Sequence, residues 1–176
     1  MDTSMGFTPL EGLVMGTRCG NIDPSIPLQI IANDKLSPNQ MDLLLNSQSE
    51  LYGLTDGDSD MRTIEEKTNS GSEQHKLALK IFTRQVKKYI GAYAAVMGGL
   101  DAVVFTAGIG EKSPVVRNMI CEDLNFLGIE IDNKQNQKNN TIISTGTTSV
   151  LVIPTNEELA IAKEVMKVLI NESNNQ

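Results

Sequence analysis

The sequence predicts an α/β fold, because short apolar runs typical of buried strands alternate with segments of helical periodicity. One run extends from Leu100 to Thr106 and another from Ser149 to Ile153, and a helix-start signal follows each of them. A long helical pattern that ends at Met97 precedes both runs. Strand and helix therefore alternate along the second half of the chain, which indicates α/β.

Helix-start signals occur at three places in the first third of the chain. Thr8-Pro9-Leu10-Glu11 combines a capping hydroxyl, a proline at the first helical position and a returning carboxylate, which predicts a short helix to about Thr17. Similar signals at Asp23-Pro24 and at Ser37-Pro38-Asn39-Gln40 predict two modest helices between Ile26 and Asn46. The Gly and Asp content then rises from Tyr52 to Ser59, which predicts a loop leading to Asp60-Met61-Arg62.

The long helical pattern carries an apolar stripe at steps of three or four residues. Ser70 and Glu73 have capping-box spacing, and Gly98-Gly99 ends the pattern after Met97. His75 falls in the polar first turn, where we expect exposure to solvent. The opposite face is basic, and we interpret it as a solvated surface; it carries Lys80, Arg84, Lys87 and Lys88.

The next segment predicts a strand, a glycine loop and a helix. The run from Leu100 to Thr106 suits a strand buried on both sides, and the glycine loop follows at 108–111. Ser113-Pro114 opens a helix that Gly128 closes. A second short strand is expected at 129–131, with a polar loop from 133 to 140.

The chain then predicts another buried strand, Ser149 to Ile153, and a final helix after Thr155-Asn156-Glu157-Glu158. The apolar residues expected to face inward on that helix are Leu159, Ala162, Val165, Met166 and Leu169.

Composition excludes several functional classes. The 176 residues carry 15 Lys and Arg against 22 Asp and Glu, so the formal net charge of −7 argues against nucleic-acid binding through the phosphate backbone. No apolar stretch reaches the roughly 20 residues that cross a bilayer, so we expect no membrane association. Cys19 and Cys121 are far apart and form no metal-ligand spacing, which favours free thiols and a cytoplasmic location.

The glycine-rich junction from Phe105 to Glu111 is one candidate ligand site. Its small residues allow a ligand to approach the backbone closely, as nucleotide-binding turns require. The sequence contains no GxxxxGK[ST] pattern, so the junction is not a Walker loop. It does not complete a GxGxxG fingerprint either, since Ser113 stands where the third glycine belongs. A tight structural turn explains the same residues, so the pattern alone leaves both interpretations open.

Charged residues supply three further candidates. Glu157 follows a strand at a position suited to holding Mg²⁺ beside phosphates, or it stabilises the helix dipole. Arg18, between two glycines, could clamp a phosphoryl group or cap a helix. Asp60 and Arg62 could bind a ribose or base, or pair with each other on the surface.

Several separated motifs, taken together, resemble the acetate kinase family, which includes propionate kinases. They are Asp2-Thr3-Ser4-Met5-Gly6-Phe7-Thr8-Pro9-Leu10-Glu11-Gly12, Met15-Gly16-Thr17-Arg18, Ser59-Asp60-Met61-Arg62, Lys88-Tyr89-Ile90-Gly91-Ala92-Tyr93, Phe105-Thr106-Ala107-Gly108-Ile109-Gly110-Glu111 and Pro154-Thr155-Asn156-Glu157-Glu158-Leu159. The resemblance covers nearly the whole chain in a consistent order.

The resemblance implies an enzyme that transfers the γ-phosphoryl group of ATP to acetate, giving ADP and acetyl phosphate, on the duplicated fold shared by actin, hexokinase and Hsp70. It implies ATP and Mg²⁺ as cofactors, with Arg18 stabilising the transition state and Glu157 associated with magnesium. By the same resemblance the ATP-contacting residues are Asp60, Met61, Arg62, Gly108, Ile109, Gly110, Glu111 and Lys112. Lys112 replaces the asparagine usual in the family, so its side chain need not keep that contact.

The resemblance also implies that the chain corresponds to the C-terminal part of such an enzyme. Residues 1–156 would form a partial nucleotide-binding domain with an incomplete sheet, and 157–176 a terminal helix that packs on an N-terminal domain. The family implies a homodimer for the full-length enzyme, and the isolated chain is expected to self-associate or to need that N-terminal half. A non-catalytic nucleotide-binding or assembly module is the alternative function.

Overall fold

The computed structural model describes residues 2–173, and its helices alternate with strands in the second half of the chain. The helices are α1 (Ser25–Asp34), α2 (Pro38–Ser47), α3 (Glu50–Leu54), α4 (Met61–Asn69), α5 (Glu73–Met97), α6 (Ala107–Lys112), α7 (Pro114–Cys121), α8 (Asn133–Gln137) and α9 (Glu157–Ser173). The strands are β1 (Ala102–Phe105) and β2 (Ser149–Val152). The α/β prediction is confirmed.

The two strands pair in parallel, with Ala102 opposite Ser149 and Phe105 opposite Val152. The side chain of Val150 on β2 is completely buried, as predicted, but Val104 on β1 is 49% exposed. The prediction that β1 is buried on both sides is therefore wrong. Among the described residues the sheet consists of these two strands, so part of β1 has nothing packed against it.

The core lies between the sheet and α4, α5 and α7. Ile64 on α4, Ala78 on α5, Val116 on α7 and Ile143 beside β2 are each at most 1% exposed. Both α4 and α7 pack on α5. The long helix α5 is thus the element against which both α4 and α7 pack.

The helix predicted from Thr8 to Thr17 is wrong. The Thr8 hydroxyl accepts a hydrogen bond from the Leu10 amide, which closes a local turn instead of capping a helix. Gly12 has φ of 104°, which a right-handed helix does not allow, and its amide and carbonyl pair with Asn21. The predicted helices between Ile26 and Asn46 are confirmed as α1 and α2.

The loop predicted from Tyr52 to Ser59 begins late, because α3 continues to Leu54. The sequence patterns also did not predict α4, whose N-terminus is capped by Asp60 accepting from the Arg62 amide. This helix is polar apart from Met61 and Ile64, which are buried, so its apolar stripe is short.

Helix α5 ends at Met97 as predicted, with Gly98 in the left-handed conformation at its C-cap. Ser72, and not Ser70, precedes its first turn. The expected exposure of His75 is wrong, because its side chain is buried between the Ser72 hydroxyl and the Asp58 carboxylate. On the basic face Lys80, Arg84 and Lys88 are exposed as predicted, whereas Lys87 is half-buried.

Four boundaries in the second half also differ from the predictions. The glycine loop at 108–111 is the short helix α6, and α7 ends at Cys121 before a 3₁₀ turn that leads to Gly128. The strand expected at 129–131 is reduced to one bridge between Ile131 and Ser144. The polar loop at 133–140 contains α8, because Asp132 caps the amides of its first turn.

Helix α9 follows β2 as predicted, but Asn156, and not Thr155, accepts the capping hydrogen bond, from the Leu159 amide. Its apolar residues do not face inward: Leu159, Val165, Met166 and Leu169 are 48% to 56% exposed. No helix among residues 2–173 is both long and apolar enough to cross a membrane. Cys19 and Cys121 are free thiols, as expected, and both are buried.

Arg117 is a fully buried cation at the centre of the second half of the chain. Its Nη1 donates to the carbonyls of Gly110 at 2.7 Å and Glu111 at 3.0 Å, at the end of α6. Its Nε and Nη2 donate to the side chain and carbonyl of Asn136, and Nη2 also donates to Asn139 Oδ1. All five guanidinium donors are used, so α6, α7 and α8 are held together by one side chain.

Replacing Arg117 by methionine should lower the free energy of unfolding by about 3 kcal/mol, because it leaves buried carbonyl and amide oxygens without donors. Urea denaturation followed by circular dichroism measures this change. Arg84→Met is the matched control, since Arg84 is exposed on α5. Equal stabilities of the two variants would contradict the role given to Arg117.

Candidate functional site

A cleft of about 410 Å³ opens between the start of α4 and α6. Ser59, Asp60, Met61, Arg62 and Glu65 line one wall. Gly108, Ile109, Lys112 and Ser113 line the other. Six of the eight residues proposed from sequence to contact ATP therefore meet in one cavity, although more than 40 positions separate the two segments.

The α4 wall is built on an ion pair between neighbours in sequence. The Asp60 carboxylate accepts from the Arg62 amide at 2.9 Å and from the Arg62 guanidinium, with 2.5 Å between Oδ2 and Nη2. These hydrogen bonds lower the pKa of Asp60 to about 2, so it is ionised at neutral pH. The Arg62 side chain is 84% exposed, which leaves a cation at the rim of the cleft.

The opposite wall depends on small residues after β1. A Cβ atom at Gly110 would lie 3.3 Å from the Phe105 carbonyl carbon, so glycine lets α6 turn back closely on β1. A Cβ atom at Gly108 would have no atom within 4 Å, so the wall is open there. Ala107 adopts φ of 58°, which is strained for a residue with a side chain.

Gly110 and Glu111 do not line the cleft. The Glu111 carboxylate accepts from the Thr155 amide at 2.8 Å and from its hydroxyl at 2.9 Å. These hydrogen bonds lower the pKa of Glu111. Glu111 therefore ties the end of α6 to the residues that begin α9.

Arg18 also lies outside the cleft lining. Its side chain is exposed, and its Nη1 lies 3.3 Å from Met15 Sδ. The backbone of this segment is fixed, because the carbonyls of Gly16 and Thr17 accept from the amides of Tyr52 and Ser49. Gly16 packs closely against Ser59, which lines the cleft, so the loop bearing Arg18 adjoins that wall.

Glu157 is exposed in the first turn of α9, two residues after Thr155. Within residues 2–173 no group of three or more His, Cys, Asp or Glu side chains could hold a metal by itself. One accessible carboxylate still fits Mg²⁺, which commonly binds one or two carboxylates together with substrate phosphates and water. The position of Glu157 is thus compatible with binding a Mg²⁺ ion that the phosphates of a nucleotide also coordinate.

Sequence reasoning missed the contributions of Glu65 and Ser113 to the cleft. The sequence patterns identified Ser113 as a helix start and as the residue in place of the third glycine of GxGxxG, and not as part of a ligand site. Glu65 stands four residues after Met61, which places both on one side of a helix, but α4 itself was not predicted.

Residues 1–163 match the model of the acetokinase family. The chain belongs to this family. It is 55% identical over 173 residues to an acetate kinase of Alkaliphilus metalliredigens and 51% identical over 176 residues to one of Thermotoga maritima. Each match covers 96% of this chain but 44% of the relative, so the chain spans less than half the length of these curated relatives.

Solved structures give the same result. The chain superposes on the acetate kinase of Porphyromonas gingivalis with a TM-score of 0.88 at 39% identity, covering 94% of this chain and 43% of that one. A propionate kinase from Francisella tularensis gives a TM-score of 0.88 at 45% identity, covering 93% and 43%. The chain thus has part of the actin/hexokinase-like fold of these kinases, as the family resemblance implied.

The Glu111 contacts generate a test of how α9 is positioned. Glu111→Ala should speed amide hydrogen exchange at residues 155–160 roughly tenfold, because a carboxylate acceptor is lost at the start of the helix. Mass spectrometry of exchanged peptides measures the change. Glu122→Ala, at an exposed site after α7, is the control, and equal exchange in the two variants would refute the link.

Proposed function

We propose that this chain supplies the nucleotide-binding part of an ATP-dependent acetate kinase that phosphorylates acetate reversibly to acetyl phosphate. The observation that carries the proposal is the single cleft in which Asp60, Met61 and Arg62 face Gly108, Ile109 and Lys112. Acetate kinase is also the name of relatives that are 50% identical or more.

The cleft has the composition that a nucleoside requires. Met61 and Ile109 offer apolar surface for a base, and the open space at Gly108 admits a flat ring. The ionised Asp60 carboxylate can accept hydrogen bonds from ribose hydroxyl groups, while Arg62 and Lys112 place positive charge at the rim for phosphates. The whole chain carries a net charge of −7, so these local cations matter for binding an anion.

Arg18 is the proposed transition-state residue. Its exposed guanidinium, on a loop that adjoins the cleft wall, would donate hydrogen bonds to the transferring phosphoryl group. Negative charge spreads over the phosphoryl oxygens in such a transition state, so a planar cation stabilises it more than the ground state. The Met15 sulfur is a weak acceptor, so Arg18 is easily redirected towards a phosphate.

Glu157 is the proposed magnesium-associated residue. When bound, Mg²⁺ would neutralise phosphate charge and orient the phosphoryl chain. Glu157 would hold the hydrated metal through its exposed carboxylate, and the contacts of Glu111 with Thr155 would keep the start of α9 beside α6.

Residues 1–156 form the proposed partial nucleotide-binding domain, and 157–176 the proposed helix that packs on the part of the relatives which this chain does not cover. Residues 1 and 174–176 of these ranges lie outside the described residues. The exposed apolar residues of α9 support that docking, as they support self-association or homodimerisation. The two buried free thiols support a cytoplasmic location for this activity.

Propionate kinase is a second candidate, favoured by the structural match to the Francisella tularensis enzyme. A third is a non-catalytic nucleotide-binding or assembly module, since the chain spans only 44% of its relatives. Comparing acetate with propionate as acceptor, and binding with turnover, separates the three.

Nucleotide binding by the chain itself is the first test. Gly108→Leu should weaken ADP binding at least tenfold in isothermal titration calorimetry, because the side chain would occupy open space in the cleft wall. Gly91→Leu is the matched control, since a Cβ atom there also has no neighbour within 4 Å but lies on α5 away from the cleft lining. Wild-type protein that fails to bind ADP would refute the proposal.

Turnover tests the role of Arg18. With ATP, Mg²⁺ and acetate, acetyl phosphate is trapped by hydroxylamine, both for the chain alone and for the chain complemented by the remaining part of a relative. In the active preparation Arg18→Ala should lower kcat by roughly 10³-fold while KM for ATP changes little. Arg84→Ala should retain full activity, and an Arg18→Ala variant that does so too would remove Arg18 from the mechanism.

A further inference from the structure

One hydrogen bond joins the two walls of the cleft directly. The Ser113 hydroxyl, between α6 and α7, donates to Oε1 of Glu65 on α4, across 48 positions of sequence. Among the described residues it is the one hydrogen bond between 60–69 and 107–121. Neither side chain had a role in the nucleotide contacts proposed above.

The geometry determines which of the two side chains donates this hydrogen bond. The Val116 amide donates to Ser113 Oγ at 3.0 Å, so the hydroxyl oxygen is already an acceptor and its hydrogen is directed to Glu65. Ser113 is only 6% exposed, which shields the contact from water and strengthens it. Oε2 of Glu65 has no hydrogen-bond partner among the described residues, so Oε1 carries the whole connection.

The remaining packing does not hold the walls together in the same direct way. Helices α4 and α7 each pack extensively on α5, so the long helix is the main connection between the two walls. The contact between Ser113 and Glu65 closes this arrangement into a ring of α4, α5 and α7.

We propose that Glu65 and Ser113 are a positioning pair that fixes the separation of the cleft walls and thereby preorganises the site for a nucleotide. The inference rests on the nucleotide site proposed above. The pair acts on binding and not on phosphoryl transfer, because fixing the walls before the ligand arrives lowers the ordering cost of binding. The length of the Glu65 side chain matters more than its charge.

ADP affinity, by isothermal titration calorimetry, and amide hydrogen exchange of residues 60–65 and 107–112 test the pair in the full chain. Glu65→Ala and Glu65→Asp should each weaken ADP binding about tenfold and speed exchange in both walls. Glu65→Gln keeps an acceptor oxygen at the same reach and should stay within about threefold of wild type. Glu66→Ala, on the exposed side of α4, is the control and should change neither the ADP affinity nor the amide exchange of the two walls.

A double-mutant cycle isolates the contact from the capping role of Ser113 on α7. Glu65→Ala and Ser113→Ala together should weaken ADP binding no more than Ser113→Ala alone, whereas independent effects would add. Additive losses, or unchanged exchange in both walls of Glu65→Ala, would overturn the positioning pair. Failure of wild-type protein to bind ADP would instead refute the nucleotide site, and the exchange data would still decide whether the pair holds the walls.

Discussion

The position of the cleft depends on the buried guanidinium of Arg117. Within residues 2–173 it has no carboxylate partner, and its five donors are all used by carbonyl and amide oxygens of α6, α8 and Asn139. Burial lowers the pKa of Arg117, yet arginine remains charged in proteins, so the surrounding oxygens must stay in place to solvate it. This requirement fixes the end of α6, and with it one wall of the cleft and the Glu111 contact to Thr155.

The second wall obtains its geometry from α5. His75 is held between Ser72 and Asp58, and Asp58 also pairs with Lys67 on α4, so the loop before α4 is attached to both helices. Hydrogen bonds from Lys67 and His75 lower the pKa of Asp58. The Asp60 cap then directs α4 so that Met61 is buried and Arg62 reaches the rim. The α4 wall and the α6 wall of the cleft are thus brought together because α4 and α7 both pack on α5.

Helix α9 differs from the rest of the molecule, because its apolar residues contribute nothing to the core. Helices in proteins obtain most of their stability from packing of an apolar face against other elements. The chain covers less than half of its relatives, and the proposed docking of α9 on the remaining part would bury this face. The proposed self-association would bury the same face.

By itself the sequence determined the α/β class, both strands, the long helix to Met97 and the family, since these depend on local periodicity and on motifs that survive in order. It also pointed to the two segments that line the cleft. It could not place His75, Glu65, Ser113 or Arg117, because each depends on a contact that local patterns do not reach. Asp58 lies 17 positions from His75, Asn136 lies 19 positions from Arg117, and 48 positions separate Glu65 from Ser113. Only the tertiary structure decided these contacts, since a buried polar group is defined by the atoms that surround it and not by its neighbours in sequence.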